Sequence, residues 1–182
     1  MENFSYFCNR LARIRAGLRK NSRTTNAMVR FIGTYTAKID DKGRLVLPSA
    51  FKNAIAGGAR DAGQAAPDMR LIVRKHIYEP ALEVFTYEDW DGMCSEIRSA
   101  LNPLNREHDK IRRSFFSCSE IIPDGKLGRI TIPREYLEYI GAEKEVDFVG
   151  VDNKIEIWAK GKEFSAMLSG DEFAALAEKI PY

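Results

Sequence analysis

The chain is poor in the residues that metal and redox chemistry need, with three cysteines and two histidines among 182 residues. Cys8, Cys94 and Cys118 are odd in number and far apart, in neither a CxxC pair nor a metal-ligand spacing, so they read as reduced, packed thiols. His76 and His108 fit no ligand spacing, and no GxSxG, P-loop or GxGxxG phrase occurs. No catalytic residue, metal ligand or cofactor is therefore expected, and the protein is predicted not to be an enzyme. Carboxylate pairs do exist, Asp40 with Asp41 and Glu88 with Asp89, but they stand at a turn and a helix start, where capping accounts for them. Also missing are an apolar run long enough for a membrane span and the apolar stretch and cleavage site of a secretory signal. No membrane partner is expected, and the predicted location is the cytoplasm.

What is present is a globular composition, 45% hydrophobic and 30% charged, enough for one ordinary domain or two small ones. The net charge of +2 is unevenly spread: residues 1–27 hold six basic groups and one acid, and the remainder holds 22 basic and 25 acidic residues. A nucleic-acid reader with such a body must gather its cations locally, because affinity follows contacts between Lys or Arg and phosphate. Within the first 27 residues, Phe4, Phe7, Leu11, Ile14 and Leu18 recur at helical steps. This basic amphipathic stretch reads as a membrane-surface binder, a nucleic-acid arm, or a dispensable leader ahead of Met28, detached by the polar Ser22 to Asn26.

The strongest signal is an internal echo. "DDKGRLVLPSAF" at 40–51 returns as "DGKLGRITIPREY" at 124–136, and Arg44 to Arg129 and Pro48 to Pro133 both span 85 positions. In the first copy "TYTAKI" reads as a strand, Asp40, Asp41, Lys42 and Gly43 as a type I turn, and "RLVL" as the return strand of a hairpin. Pro48 then opens a helix carrying Phe51 and Ile55, which Gly57 and Gly58 end, ahead of a small-residue surface loop to Asp68. "RLIVRK" and "ALEVF" are strands joined by "HIYEP". Thr86 and Asp89 form a capping pair for a helix with Trp90, Met93, Ile97 and Leu101 on one face. A second helix is predicted to restart at Asn102 and Pro103 and to carry Leu104, Ile111 and Phe115.

The second copy repeats the order: "SEIIP", a loop from Asp124 to Gly128, "RITI", and a Pro133 helix with Tyr136 and Ile140 that Gly141 closes. "EVDFVG" and "KIEIW" follow, turning at Val151 to Asn153; here the interval falls to 73, as from Phe85 to Trp158, a shortening close to the length of the Gly-rich loop. Phe164, Met167 and Leu168, then Phe173, Leu176 and Ile180, make short C-terminal helices expected to pack on the body. The predicted divisions are a leader 1–27, a first module 31–85, a helical linker 86–116, a second module 117–160 and C-terminal helices 161–182. Each copy of hairpin, short helix, two strands and helix, about 65 residues, is small for a separate core, so the two are expected to share one. The fold class is α+β with a mainly β core, and a shared barrel flanked by short helices is the expected form.

Each turn glycine is followed by arginine, Arg44 and Arg129, with Lys42 and Lys126 beside them. Arginine forks across guanine, lysine reaches phosphate, and a two-stranded ribbon fits a major groove. The other reading makes Gly-Arg turn punctuation, with each arginine paired to a local acid such as Asp40, Asp41 or Asp124.

"FIGTYTAKIDDKGRLVLPSAF" and "GRITIPREYLEYIGAEKEVDFVGVDNKIEIW" resemble the MraZ family of bacterial transcriptional regulators, over about Met28 to Lys160. The resemblance implies tandem AbrB-like (SpoVT type) swapped-hairpin modules forming one pseudo-twofold β-barrel, in a ring-shaped homo-oligomer associated with the nucleoid. It further implies repression of the division and cell-wall gene cluster through direct repeats in double-stranded DNA. Carried onto this chain, the DNA-contacting residues are Lys42, Arg44, Lys126 and Arg129, on turns shaped by Asp40, Gly43 and Gly128. One departure stands out: Asp40 precedes Arg44 by four positions, whereas Asp124 precedes Arg129 by five, so the second loop is longer or bent differently. Family chains tend to start where Met28 lies. The rival implication is an AbrB-like antitoxin or protein-binding scaffold, in which a disordered tail usually stands where this chain has its second copy.

Overall fold

The computed structural model describes residues 29–61, 68–163 and 167–180. The readings on residues 1–27 with Cys8, on positions 62–67 of the Gly-rich loop, and on Phe164 lie outside them. Along the chain the elements are β1 (Phe31–Lys38), β2 (Arg44–Val46), α1 (Ser49–Asp61), β3 (Leu71–Lys75), β4 (Ala81–Thr86), α2 (Tyr87–Ala100) and α3 (Arg106–Phe115). They continue as β5 (Cys118–Ile121), β6 (Arg129–Thr131), α4 (Arg134–Ile140), β7 (Glu145–Asp152), β8 (Lys154–Ala159) and α5 (Gly170–Ala177). The chain is mixed α+β, as predicted.

The strands form an antiparallel six-stranded sheet, β1-β7-β8-β4-β3-β5, and a two-stranded ribbon, β2-β6. Exchanging the two copies, so that β1 trades with β5, β3 with β7 and β4 with β8, returns the same sheet order. Each copy's opening strand thus pairs with the other copy's third strand, β1 with β7 and β5 with β3. The strands of the described residues do not close into a barrel; β1 and β5 remain edges of an open sheet.

One sequence expectation changes here. β2 does not return along β1 as a hairpin ladder but pairs with β6, Leu45 opposite Ile130. The ribbon is extended by Leu47 N–H donating to Gly128 O (3.0 Å) and Ile132 N–H to Gly43 O (3.2 Å), two bonds that interchange under the 85-residue offset. The physical reason is burial. An isolated two-stranded hairpin has little to pack on, whereas joining the copies places Leu45, Leu47, Ile130 and Ile132 in one cluster with Phe31, Phe51, Tyr136 and Phe148.

A second cluster covers the other side of the sheet, where α2 and the end of α3 lay Trp90, Cys94, Ile97, Leu101 and Phe115 against Ile72 and Phe85. Trp90 stacks on Phe115 with centroids 5.4 Å apart. Thr86 caps α2, its hydroxyl accepting the Asp89 N–H at 3.1 Å, as the sequence indicates. Cys94 and Cys118 are free thiols, and burial pushes both up from the ordinary thiol range.

Three helix readings are corrected. α1 runs through Gly57 and Gly58 to Asp61, because Gly57 keeps a helical backbone and not the left-handed one a glycine stop requires. α3 begins at Arg106, since Asn105 accepts the Glu107 and His108 N–H groups while Asn102 closes the preceding turn onto Leu104. Phe115 of that helix is buried, but Leu104 is 93% exposed and Ile111 is also exposed. α5, capped by Ser169 and Glu172, does not pack on the body: Phe173 is 66% and Ile180 62% exposed.

Candidate nucleic-acid interface

Alternation along β2 and β6 decides which side chains face water. Leu45 and Ile130 point into the core, so Arg44, Val46, Arg129 and Thr131 share the opposite face. The register places Arg44 across from Thr131 and Val46 across from Arg129. The two arginines are therefore diagonal neighbours on one outward surface, about 7–8 Å apart at the backbone by ladder geometry.

Antiparallel pairing sends the turns to opposite ends of this ribbon. At one end lies the first, a three-residue loop in which Gly43 N–H donates to Asp40 O (2.9 Å), Asp40 N–H donates to Arg44 O (3.0 Å), and Gly43 takes φ +72°. The Asp40 carboxylate organises it. Its Oδ1 accepts the Lys42 and Arg44 backbone N–H groups, each at 2.9 Å, and its Oδ2 accepts Arg44 Nε at 2.7 Å. These bonds, the Arg44 N–H first among them, hold the carboxyl below the ordinary range, so it is ionised at neutral pH. Lys42 stands exposed at the tip.

At the other end is a four-residue loop, Gly125 to Gly128, with Asp124 and Arg129 exchanging backbone bonds of 2.7 and 2.9 Å. The extra residue anticipated from the spacing is present. Gly125 and Gly128 take φ +65° and +66°, conformations that L side chains rarely adopt. No carboxylate pairs with Arg129 among the described residues, and its side chain is exposed. Lys126 is exposed as well, and its carbonyl accepts Lys52 Nζ at 2.7 Å.

All four predicted cations thus belong to one ribbon and its tips. The pairing of arginine with a local acid holds at Arg44 and does not at Arg129. Sequence reading missed Lys52, on α1, which reaches across to the other copy's loop. The 85-residue offset could have flagged it, because it pairs Lys52 with Leu137, which packs under Gly43 at the first tip. Val46 and Thr131 were missed too, their exposure depending on which strand β2 joins. No group of three or more His, Cys, Asp or Glu that could hold a metal occurs among the described residues. None of the described helices is long and apolar enough to cross a membrane.

Comparison of the sequence with known proteins points to one family. The family model described as "MraZ protein, putative antitoxin-like" matches residues 115–179. A protein of Bacteroides thetaiotaomicron named "Transcriptional regulator MraZ" is 37% identical over 153 residues, 84% of this chain and 93% of the relative. One of the same name from Bacteroides fragilis is 39% identical over 84% of this chain and 92% of its own length. A third, from Chlorobium phaeovibrioides, is 34% identical over 82% of this chain and 97% of its own. Identity at that level along nearly the whole length of each relative means that the chain belongs to the MraZ family.

Proposed function

We propose that this chain is a transcription regulator that binds double-stranded DNA through the β2-β6 ribbon. One observation carries the reading: Arg44 and Arg129 lie on the single outward face of a two-stranded antiparallel ribbon whose ends are tipped by Lys42 and Lys126. A ribbon of this width fits a major groove, where arginine reads guanine and lysine meets phosphate. The names carried by the relatives support the same role. In this reading residues 31–85 and 117–160 are tandem AbrB-like swapped-hairpin modules.

With a net charge of only +2, one ribbon holds little affinity, and several ribbons linked in one particle bind through effective concentration. The assembly that supplies this is a homo-oligomeric ring. It engages short direct repeats and represses the division and cell-wall gene cluster, placing the protein in the cytoplasm on the nucleoid. The test is the Arg44→Ala variant, which abolishes specific binding to the chain's own upstream DNA in an anisotropy titration while keeping its melting curve. A folded variant with wild-type affinity removes Arg44 from the mechanism. Size-exclusion chromatography with light scattering tests the ring.

A protein-binding, antitoxin-like reading draws on a separate observation, the exposed Phe173 and Leu176 of α5 with Ile180 just beyond it. A stoichiometric protein partner on purification, with no DNA retained at low salt, would favour it.

A further inference from the structure

The two tips are built differently, and the difference bears on how a duplex is read. Arg44 enters any encounter already oriented. Its Nε is bonded to Asp40 Oδ2, and Asp40 is fixed by the backbone N–H groups of Lys42 and Arg44. The bond consumes Nε and leaves the two terminal amino groups, the pair that can fork across guanine O6 and N7. Preorientation removes part of the rotamer entropy that locking the fork would cost a free arginine. The Asp40 charge also opposes phosphate, which penalises a merely electrostatic contact at this position.

Arg129 has none of this. It is exposed, no acid holds it among the described residues, and its loop is one residue longer with glycine at positive φ on both sides of Lys126 and Leu127. Besides its own backbone bonds, a cation braces that loop. Lys52 Nζ donates to Lys126 O at 2.7 Å, and the Lys52 stem lies against Gly128, 3.0 Å from where a Cβ would stand. Lys52, Lys126 and Arg129 therefore add three positive charges at one end of the ribbon with no carboxylate bonded to their side chains among the described residues. At the first tip the place of Lys52 is taken by Leu137, and an acid is built in.

We infer that the tips divide the work of recognition: Asp40 positions Arg44 to read base edges, and the Lys52-supported second tip grips phosphate without reading sequence. This rests on the DNA-binding reading above. The chemistry requires orientation for the first task and only charge for the second.

The division is tested with the wild type and Arg44→Ala, Asp40→Asn, Arg129→Ala, Lys52→Leu and Lys52→Arg, each first shown to melt as the wild type does. Each is put through selection from a randomised duplex pool, and its affinity for one fixed scrambled duplex is followed against salt. Arg44→Ala is expected to recover no motif, and Asp40→Asn a degenerate one. Arg129→Ala is expected to recover the wild-type motif with weaker binding, and a salt slope smaller by about one for each protomer engaged. Lys52→Leu, which copies the residue at the equivalent position, weakens binding without changing the motif, and Lys52→Arg restores it. An altered motif with Arg129→Ala, or an intact one with Arg44→Ala, overturns the division. If no variant changes either motif or slope, the DNA-contact reading itself fails.

Discussion

Glu83 and Glu156 stand directly opposite each other across the β4-β8 ladder, 73 residues apart, the same interval that separates Phe85 from Trp158. Equivalent positions of the two copies thus meet at the centre of the sheet, and they bring two carboxylates together there. Lys154 Nζ relieves the repulsion, lying 2.7 Å from Glu83 Oε1 and 2.8 Å from Glu156 Oε1. Arg74 Nη2 is 2.6 Å from Glu83 Oε2, with its guanidinium 4.5 Å from the Phe115 ring centroid. His76 Nε2 lies 3.7 and 3.8 Å from the two glutamates, and Trp158 Nε1 donates to Glu156. Removing Lys154 leaves the two facing carboxylates with Arg74 as the one closely paired cation among the described residues. Lys154→Met is expected to cost about 3–5 kcal/mol in a denaturant melt, far more than a surface ion pair would.

Acid should unfold the protein through two buried carboxylates, Glu83 and Asp147. Burial pushes Glu83 up, but Arg74 and Lys154 outweigh it and hold the group below its usual value. Asp147 is similar: burial raises it, while bonds from Thr36 (2.6 Å), the Gly161 N–H (2.9 Å) and Lys160 (2.9 Å) bring it down. With folded values depressed, the unfolded chain takes up protons first. This stabilisation is complete above the ordinary carboxylate range and disappears as pH falls through the lower folded values. Thermal melts from pH 7 to pH 3 should therefore decline with acidification, and Asp147→Asn should flatten that decline while lowering stability at pH 7.

Two glycines predict opposite outcomes. A Cβ on Gly150 would lie 2.5 Å from the backbone of Phe31 and Ile32, where β1 and β7 meet. Gly150→Ala should destabilise by about 1–3 kcal/mol or more, because backbone cannot step aside as a side chain can. Among the described residues, nothing beyond its own helix and chain neighbours lies within 4 Å of the Cβ position of Gly57, inside α1. Gly57→Ala should stabilise by about 0.5–1 kcal/mol through helix propensity. Paired thermal melts of the two variants check both signs.

The ribbon separates stability from binding. Ile130, fully buried beneath it, should cost about 2–5 kcal/mol when cut to alanine and should weaken the proposed duplex binding only through loss of the folded state. Thr131, exposed beside Arg44 on the outward face, should tolerate alanine within about 0.5 kcal/mol. Denaturant midpoints measured alongside duplex titrations distinguish these cases.

Residue pattern alone fixed much of this molecule. The echo at 85 positions, the turn chemistry of Asp40 and Gly43, and the Thr86 cap are local, and local physics placed them correctly. The extra residue between Asp124 and Arg129 was legible for the same reason: loop length is counted along the chain. The partner of β2 was not legible, since "RLVL" can bury its alternate residues against either its own copy or the other. Nor could the pattern tell that Arg44 is held by a carboxylate and Arg129 is not, that Lys52 crosses to the other copy's loop, or that Phe173 stays in water. Those outcomes follow from interlocking two incomplete cores, a choice made by summed burial over distant segments; spacing supplies the parts and their order, and tertiary packing decides which faces remain exposed.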